Sequence, residues 1–417
     1  MAFFGLSRGA ANGSVAAVLA GLIFVATYAV IAIGRLPGSR LDRTGAALVG
    51  ASLMVASDAL SLEEAYRAID LDTIALLLGM MIVVANLRFA GFFQLVNASI
   101  ARHGRQPLAL LAGVILASGG LSAFLVNDTV CLMLTPLVAE LCRALRRNPV
   151  PYLLALAMSS NIGSTATITG NPQNIIIGSL SHIPYGDFAG ALAPVAALGL
   201  LVVFAFIALA WRRELAATAI SLGVMPRVRW NPALLWKSIA VLAGIILFFF
   251  LGQPPAKVAI VGGAVLMLTR RIKPERVYRD IDWSLLLMFA GLFIVVAGME
   301  KALLGPEALA YAGRLNLDDP AVMAAIAAVL SNIVSNVPAV LVLKPFVAAL
   351  SEPRAAWLTL AMAATLAGNF TIPGSVANLI VVERARRHGV EIGFWTHLKL
   401  GAPVTLITIA LGVLLLR

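Results

Sequence analysis

Charge is what this sequence has least of. Only 12% of its 417 residues are Asp, Glu, Lys or Arg, where soluble domains carry about a quarter. Hydrophobic residues make up 60% and mean hydropathy is +0.95. So little polar surface cannot cover a folded chain in water, which excludes a soluble enzyme and leaves the bilayer as solvent. Cysteine is almost missing too. Cys131 and Cys142 form neither a disulfide framework nor a zinc site. The four histidines, His103, His182, His388 and His397, read as residues of connections without metal-ligand spacing, so no metal is expected. No Walker motif, nucleophile elbow or dinucleotide fingerprint occurs, so no cofactor is expected and ATP could drive the chain only through an associated ATPase subunit. No nucleophile–base pair lies at membrane depth, which argues against a membrane-embedded enzyme.

What is present is a series of long apolar runs. Ten read as membrane spans: 15–34, 44–59, 73–93, 152–180, 189–211, 235–252, 256–270, 283–300, 356–382 and 395–416. The first is too long for a signal-peptide core and no small-residue cleavage site follows it, so it is expected to be retained. Two more stretches, 107–143 and 319–350, are apolar but interrupted, by Gly119-Gly120 and Val126–Thr129 in one and by Ser331-Asn332 and Ser335–Pro338 in the other. They read as re-entrant hairpins, which survive at membrane depth only when buried in protein or lining a cavity.

The net charge of +11 points to membrane orientation and not to nucleic acid, because the basic residues sit in short connections. With both termini outside, 23 basic residues fall on the inner side and seven on the outer. The inner set runs from Arg35, Arg40 and Arg43 through Arg105, Arg227, Arg270 and Arg271 to Lys399. Reading either hairpin as a single crossing would scramble that split. The expected setting is a bacterial cytoplasmic (inner) membrane.

The chain also repeats itself. Tyr66-Arg-Ala-Ile-Asp70 matches Tyr278-Arg-Asp-Ile-Asp282, and Gly79 falls opposite Gly291. Asn127 and Pro136 match Asn336 and Pro345, and Leu154–Met158 matches Leu358–Met362. Gly170 and Asn174 fall opposite Gly374 and Asn378. Five spans and one hairpin per half force the second half in upside down, the inverted-repeat design of many secondary transporters. The expected organisation is all-α: a first repeat at 1–211, a cytoplasmic linker at 212–234 and a second repeat at 235–417.

In such designs the site lies on broken helices at the repeat interface. Ser159–Asn174 and Gly368–Asn378 are polar, and Gly170-Asn-Pro172 and Pro373-Gly374 interrupt a continuous helix. Asn161, Ser164, Thr165, Thr169, Gly170, Asn171 and Asn174 are candidates in the first break. Asn369, Thr371, Gly374, Ser375 and Asn378 are their counterparts in the second. At the hairpin tips the candidates are Asn127 and Thr129, then Ser335 and Asn336. Asp128 is the one carboxylate placed well inside an apolar segment, and so the candidate proton-coupling residue. Its counterpart is Val337, so only the first hairpin carries an acid. Lys344 reads as a snorkelling lysine, and Cys131 as a small buried thiol.

Asn127-Asp-Thr129 with Asn161–Asn174 resembles the signature of the ion transporter superfamily. Ser335-Asn-Val-Pro-Ala339 and Ala367–Ile380 resemble its arsenite permease (ArsB) and NhaD sodium/proton antiporter branch. Members of the superfamily carry arsenite, sodium, citrate, dicarboxylates, sulfate or silicate. The resemblance implies a scaffold and a transport part, elevator-like alternating access, and in some branches a homodimer. The paired Ser-Asn-Thr motifs of the sodium-dicarboxylate branch are incomplete here, since Ile162 follows Asn161 and Val337 follows Asn336. The leading expectation is arsenite or antimonite efflux by proton antiport through Asp128. A Na+/H+ antiporter is the runner-up. Uptake of an inorganic or carboxylate anion is a third reading, which calls for a more basic site than these motifs display.

Overall fold

The computed structural model describes residues 5–34, 40–103, 106–216, 229–268, 272–303, 316–350 and 352–417, with the side chains of 5–16 left aside. Arg35, Arg105, Arg227, Arg270, Arg271 and Arg314, the side chain of Arg8 and the core of the 212–234 linker lie outside the described residues. All described secondary structure is helical. The first ten helices are α1 (Gly5–Ile33), α2 (Arg43–Ala56), α3 (Leu62–Ala68), α4 (Leu71–Ala90), α5 (Phe92–His103), α6 (Pro107–Phe124), α7 (Asn127–Ala144), α8 (Val150–Ser164), α9 (Pro172–Ser181) and α10 (Tyr185–Ala210). After the short α11 (Arg212–Leu215) come α12 (Pro232–Phe250), α13 (Pro255–Met267), α14 (Pro274–Asp280), α15 (Trp283–Leu303) and α16 (Pro320–Val334). The last four are α17 (Asn336–Ala348), α18 (Pro353–Ala367), α19 (Val376–Arg387) and α20 (Phe394–Leu416).

Among the described residues six helices, α4, α6, α10, α12, α15 and α20, are long and apolar enough to cross a membrane. The expected spans at 44–59 and 256–270 are the short helices α2 and α13. Large side chains such as Leu201, Leu209, Leu247 and Leu414 face outward, a surface suited to lipid rather than water.

Among the described residues the order of elements from α1 to α10, α5 apart, recurs from α12 to α20, and the packing recurs reciprocally. α4 packs on α13 as α15 packs on α2, and α1 lies on α15 as α12 lies on α4. Paired glycines bring these helices together. A Cβ on Gly79 would sit 2.4 Å from the carbonyl carbon of Ala259, and one on Gly291 would sit 2.8 Å from that of Ala47. Gly79 and Gly291 are separated by the same number of residues as Ala47 and Ala259, so one contact is built twice. The repeated Tyr-Arg-x-Ile-Asp motif has a local reason as well. Asp70 caps α4 by accepting from the Asp72 and Thr73 amides, and Asp282 accepts from the Leu285 amide at the start of α15.

Gly79→Ala is therefore expected to lower stability by about 1–3 kcal/mol, the usual cost of forcing extra volume into a packed contact. Gly120→Ala, whose Cβ would meet nothing within 4 Å, should be neutral. Thermal unfolding of the two variants in detergent compares them directly.

Helices α1, α2, α4, α12, α13 and α15 make one packed group. Helices α6 to α10 and α16 to α20 make another. Two expectations about the interrupted stretches need correction. Gly119-Gly120 lies inside α6 and does not break it; the break falls at Leu125-Val126. The first of those glycines serves packing: a Cβ there would lie 2.8 Å from Leu200 of α10, while Gly163 of α8 lets the two backbones meet, its own Cβ falling 2.1 Å from the Gly119 carbonyl oxygen. In the second stretch α16 runs through Ser331-Asn332 and stops at Ser335, whose φ of +79° is rare for a residue with a side chain. The two 152–180 and 356–382 spans are broken as expected, into α8 and α9 around the short 3-10 turn Ile168–Gly170, and into α18 and α19.

Candidate functional site

Each broken span is locked by the same asparagine. Asn174 Nδ2 donates to the Ser164 and Thr167 carbonyls at 3.1 and 3.0 Å. Asn378 Nδ2 donates to the Gly368 and Thr371 carbonyls at 2.7 and 3.1 Å. Each pair of equivalents is separated by the same number of residues, so the lock repeats with the chain. The second half of each broken span begins on a capping side chain: Asn171 accepts from the Asn174 amide and Ser375 from the Ala377 amide. Gly170 is required where it stands, because a Cβ there would lie 2.1 Å from the Ser164 carbonyl oxygen.

The two breaks are joined through two hubs. Asn161, near the end of α8, accepts from Asn127 Nδ2 (3.0 Å) and Ser375 Oγ (3.0 Å). It donates to Asn369 Oδ1 (2.8 Å) and Asn378 Oδ1 (3.1 Å). Thr365, at the equivalent place on α18, accepts from Asn171 Nδ2 (3.2 Å) and Gln173 Nε2 (3.1 Å), and donates to Asn174 Oδ1 (3.4 Å). Each hub reaches across to the other repeat's break. A buried network satisfied to this degree fixes geometry, because any unmade bond in it would be costly.

In front of the network lies a cavity of about 50 Å³, counted as space for the centres of water-sized spheres. At roughly 10–15 Å³ per water on that measure it takes about four waters, or one ligand of about that many heavy atoms. Four helix N-termini meet there: Asn127 and Asp128 of α7, Pro172 and Gln173 of α9, Asn336 to Pro338 of α17, and Val376 of α19 with its cap Ser375. Neither α7 nor α17 has a side-chain cap hydrogen bond, so first-turn amides of both remain as donors. With Asn336 turned so that its amide satisfies its neighbours, its nitrogen donates to the Gly374 carbonyl (3.1 Å) and its oxygen accepts from Gln173 Nε2 (3.1 Å). Converging N-termini make a positive field that favours oxygen-rich or anionic ligands.

Two of these lining residues carry oxygens without partners among the described residues. Asn127 is 3% exposed and its Oδ1 has no hydrogen bond. Half-buried Asp128 has a carboxylate with no hydrogen-bond partner among the described residues, and Asp282, just before α15, is near enough to act on it electrostatically. The opposite wall comes from the other helix group: Ile31, Arg43, Leu285, Met288 and Phe289. The site therefore lies where the two groups face each other.

Of the expected site residues, Asn127, Asp128, Ser335, Asn336 and Ser375 reach the cavity. Asn161, Ser164, Thr165, Asn171, Asn174, Asn369, Thr371, Gly374 and Asn378 stand behind it, in the network or the break it holds. Thr129 lies outside the cavity lining, and Thr169 turns away to the Tyr185 hydroxyl at 2.8 Å. Sequence reasoning missed Gln173 and Thr365 as site residues and assigned Arg43 to a connection. It also placed His397 in a connection, whereas His397 is buried in α20 with Nε2 3.0 Å from the Asn369 carbonyl. Lys344 pairs with Glu300 of α15 at 3.2 Å, in place of the snorkelling expected. No group of three or more His, Cys, Asp or Glu that could hold a metal occurs among the described residues.

A family model described as citrate transporter matches residues 28–367. A 46 kDa membrane protein of Mycobacterium leprae is 30% identical, covering 95% of this chain and 97% of its own. A silicon efflux transporter of Oryza sativa, named LSI3, is 30% identical over 95% of this chain and 96% of its own. A Dictyostelium discoideum chain whose name marks it as a candidate arsB transporter is 26% identical, over 94% of this chain and 90% of its own. Among solved structures, the YdaH transporter of Alcanivorax borkumensis, described as having an unusual topology, superposes with a TM-score of 0.60 at 17% identity, covering 97% of each chain. That last likeness is one of fold. With a matching model over most of its length and full-length transporter relatives, this chain is a multi-pass membrane transporter and belongs to the citrate transporter family CitMHS, within the ion transporter superfamily.

Proposed function

We propose that this protein exports a small oxyacid, arsenite or antimonite in its trihydroxy form, in exchange for protons taken up at Asp128. The observation that carries the reading is the cavity itself. The uncapped N-termini of α7 and α17 supply donors for ligand oxygens, while the Asp128 carboxylate, beside the unpartnered Asn127 Oδ1, supplies an acceptor for ligand hydroxyls. A trihydroxy species has both kinds of group and about the right number of heavy atoms. A bare sodium ion could use the Asp128 carboxylate but would face the combined N-terminal field, which counts against Na+/H+ antiport. Relatives named for silicon efflux and for arsB support a hydroxylated cargo.

The two helix groups supply the scaffold and the transport part of an elevator-like cycle, in the inner membrane of a bacterium with both termini outside. On that orientation the cavity opens toward the cytoplasm. A second reading, import of a carboxylate or inorganic anion, gains from Arg43, which makes the site more basic than the motifs alone suggested.

Expressed in an arsenite-sensitive bacterium lacking its own efflux system, the protein should lower steady-state arsenic content several-fold. Unchanged arsenic content together with a gain in sodium tolerance would instead support the antiporter.

A further inference from the structure

Arg43 stands at the first turn of α2, half-buried, and lines the same cavity as Asp128 from the opposite wall. Neither its guanidinium nor the Asp128 carboxylate has a hydrogen bond or an ion pair among the described residues. Opposite charges thus face one small space without closing on each other.

A second cavity, of about 370 Å³ on the same measure, shows what Arg43 adds. It is lined by Asp72 and Leu76 of α4, by Phe249 of α12 and by Pro255 of α13, among others. Leu76 and Met288 are repeat equivalents, as are Pro255 and Arg43, at the separation that relates Gly79 to Gly291. The two cavities therefore flank equivalent faces of the α2–α15 and α4–α13 pairs. One wall has a cation, and the other has proline in that place and an acid nearby.

We infer that Arg43 is a specificity-determining residue, resting on the export reading above: cargo bridges the gap by accepting from the guanidinium and donating a hydroxyl toward Asp128. The pair selects small oxyacids with both an acceptor oxygen and an O–H, and it does so from one side of the membrane only, because the equivalent position opposite is Pro255. Lysine would keep the charge but lose the planar fork that engages two oxygens.

The test measures initial rates of arsenite transport by the full-length protein in vesicles oriented so that the Arg43 side is exposed. Arg43→Gln should raise KM about tenfold or more, the usual worth of a charge-assisted hydrogen bond, with maximal rate changed by less than about threefold. Arg43→Lys should recover part of the loss. An unchanged KM in Arg43→Gln overturns the inference and leaves the export reading standing. Absence of saturable arsenite transport in the unmutated protein overturns both. Should Arg43→Gln fail to reach the membrane, the native protein can be treated with an arginine-specific dicarbonyl and Arg43 modification read by mass spectrometry. Protection by arsenite is expected, and modification at the same rate with and without arsenite contradicts the assignment.

Discussion

Asp128→Asn is expected to abolish the response of arsenite transport to an imposed pH gradient while leaving the protein folded. The substitution keeps the side chain's shape and removes only its ability to release and regain a proton. Since the native carboxylate has no hydrogen-bond partner among the described residues, no internal bond is lost by the change. Loss of a group that transfers a proton commonly costs about 10²–10⁴ in rate, so gradient-driven transport should fall at least about a hundredfold. Arsenite exchange without a gradient should survive, because a neutral amide still binds a hydroxyl. Gradient-driven rates and arsenite exchange, measured in the same vesicles, separate the two effects. A variant that keeps its full response to pH would remove Asp128 from the coupling step.

Asn161→Ala should be the most damaging change in the group formed by α6 to α10 and α16 to α20. It deletes four hydrogen bonds at once and leaves Asn127, Asn369, Ser375 and Asn378 each short of a partner in a buried network. At about 1–3 kcal/mol for each unsatisfied buried group, the loss takes up much of the roughly 5–15 kcal/mol that holds a typical domain folded. The expected result is a large drop in thermal midpoint and no measurable transport, even at temperatures where helicity persists. Thr365→Ala, which removes the three bonds of the opposite hub, should give the same effect in weaker form. Midpoints measured in one detergent rank the pair. A stable, active Asn161→Ala would show that the two breaks are held independently.

Much of this architecture could be read from residues alone, because its design repeats. Tyr66–Asp70 and Tyr278–Asp282 announce themselves in the sequence, and their aspartates prove to be helix caps, a role that depends on nearby residues only. Pro172 and Pro373-Gly374 mark the broken spans for an equally local reason. What remained hidden depends on distance. Asn161 and Asn127 look alike as polar residues in apolar runs, yet one is fully occupied in a hub and the other lines the cavity with one amide oxygen unpartnered. That difference arises from contacts more than thirty residues apart in sequence. Arg43 follows a short connection, where a count of basic residues assigns it an orienting role. Its place in the cavity wall becomes visible only once α2 is packed on α15. Gly119-Gly120 looks like a helix breaker, and the packing role of Gly119 depends on α8 and α10 passing close by.

The most direct test of proton-coupled oxyacid export is proton movement across proteoliposomes holding the purified protein, read by a trapped pH-sensitive dye. Arsenite and sodium are offered separately. Arsenite should provoke proton flux in the native protein and none in Asp128→Asn. Flux with sodium alone, and silence with arsenite, would contradict the reading and make the protein a cation antiporter.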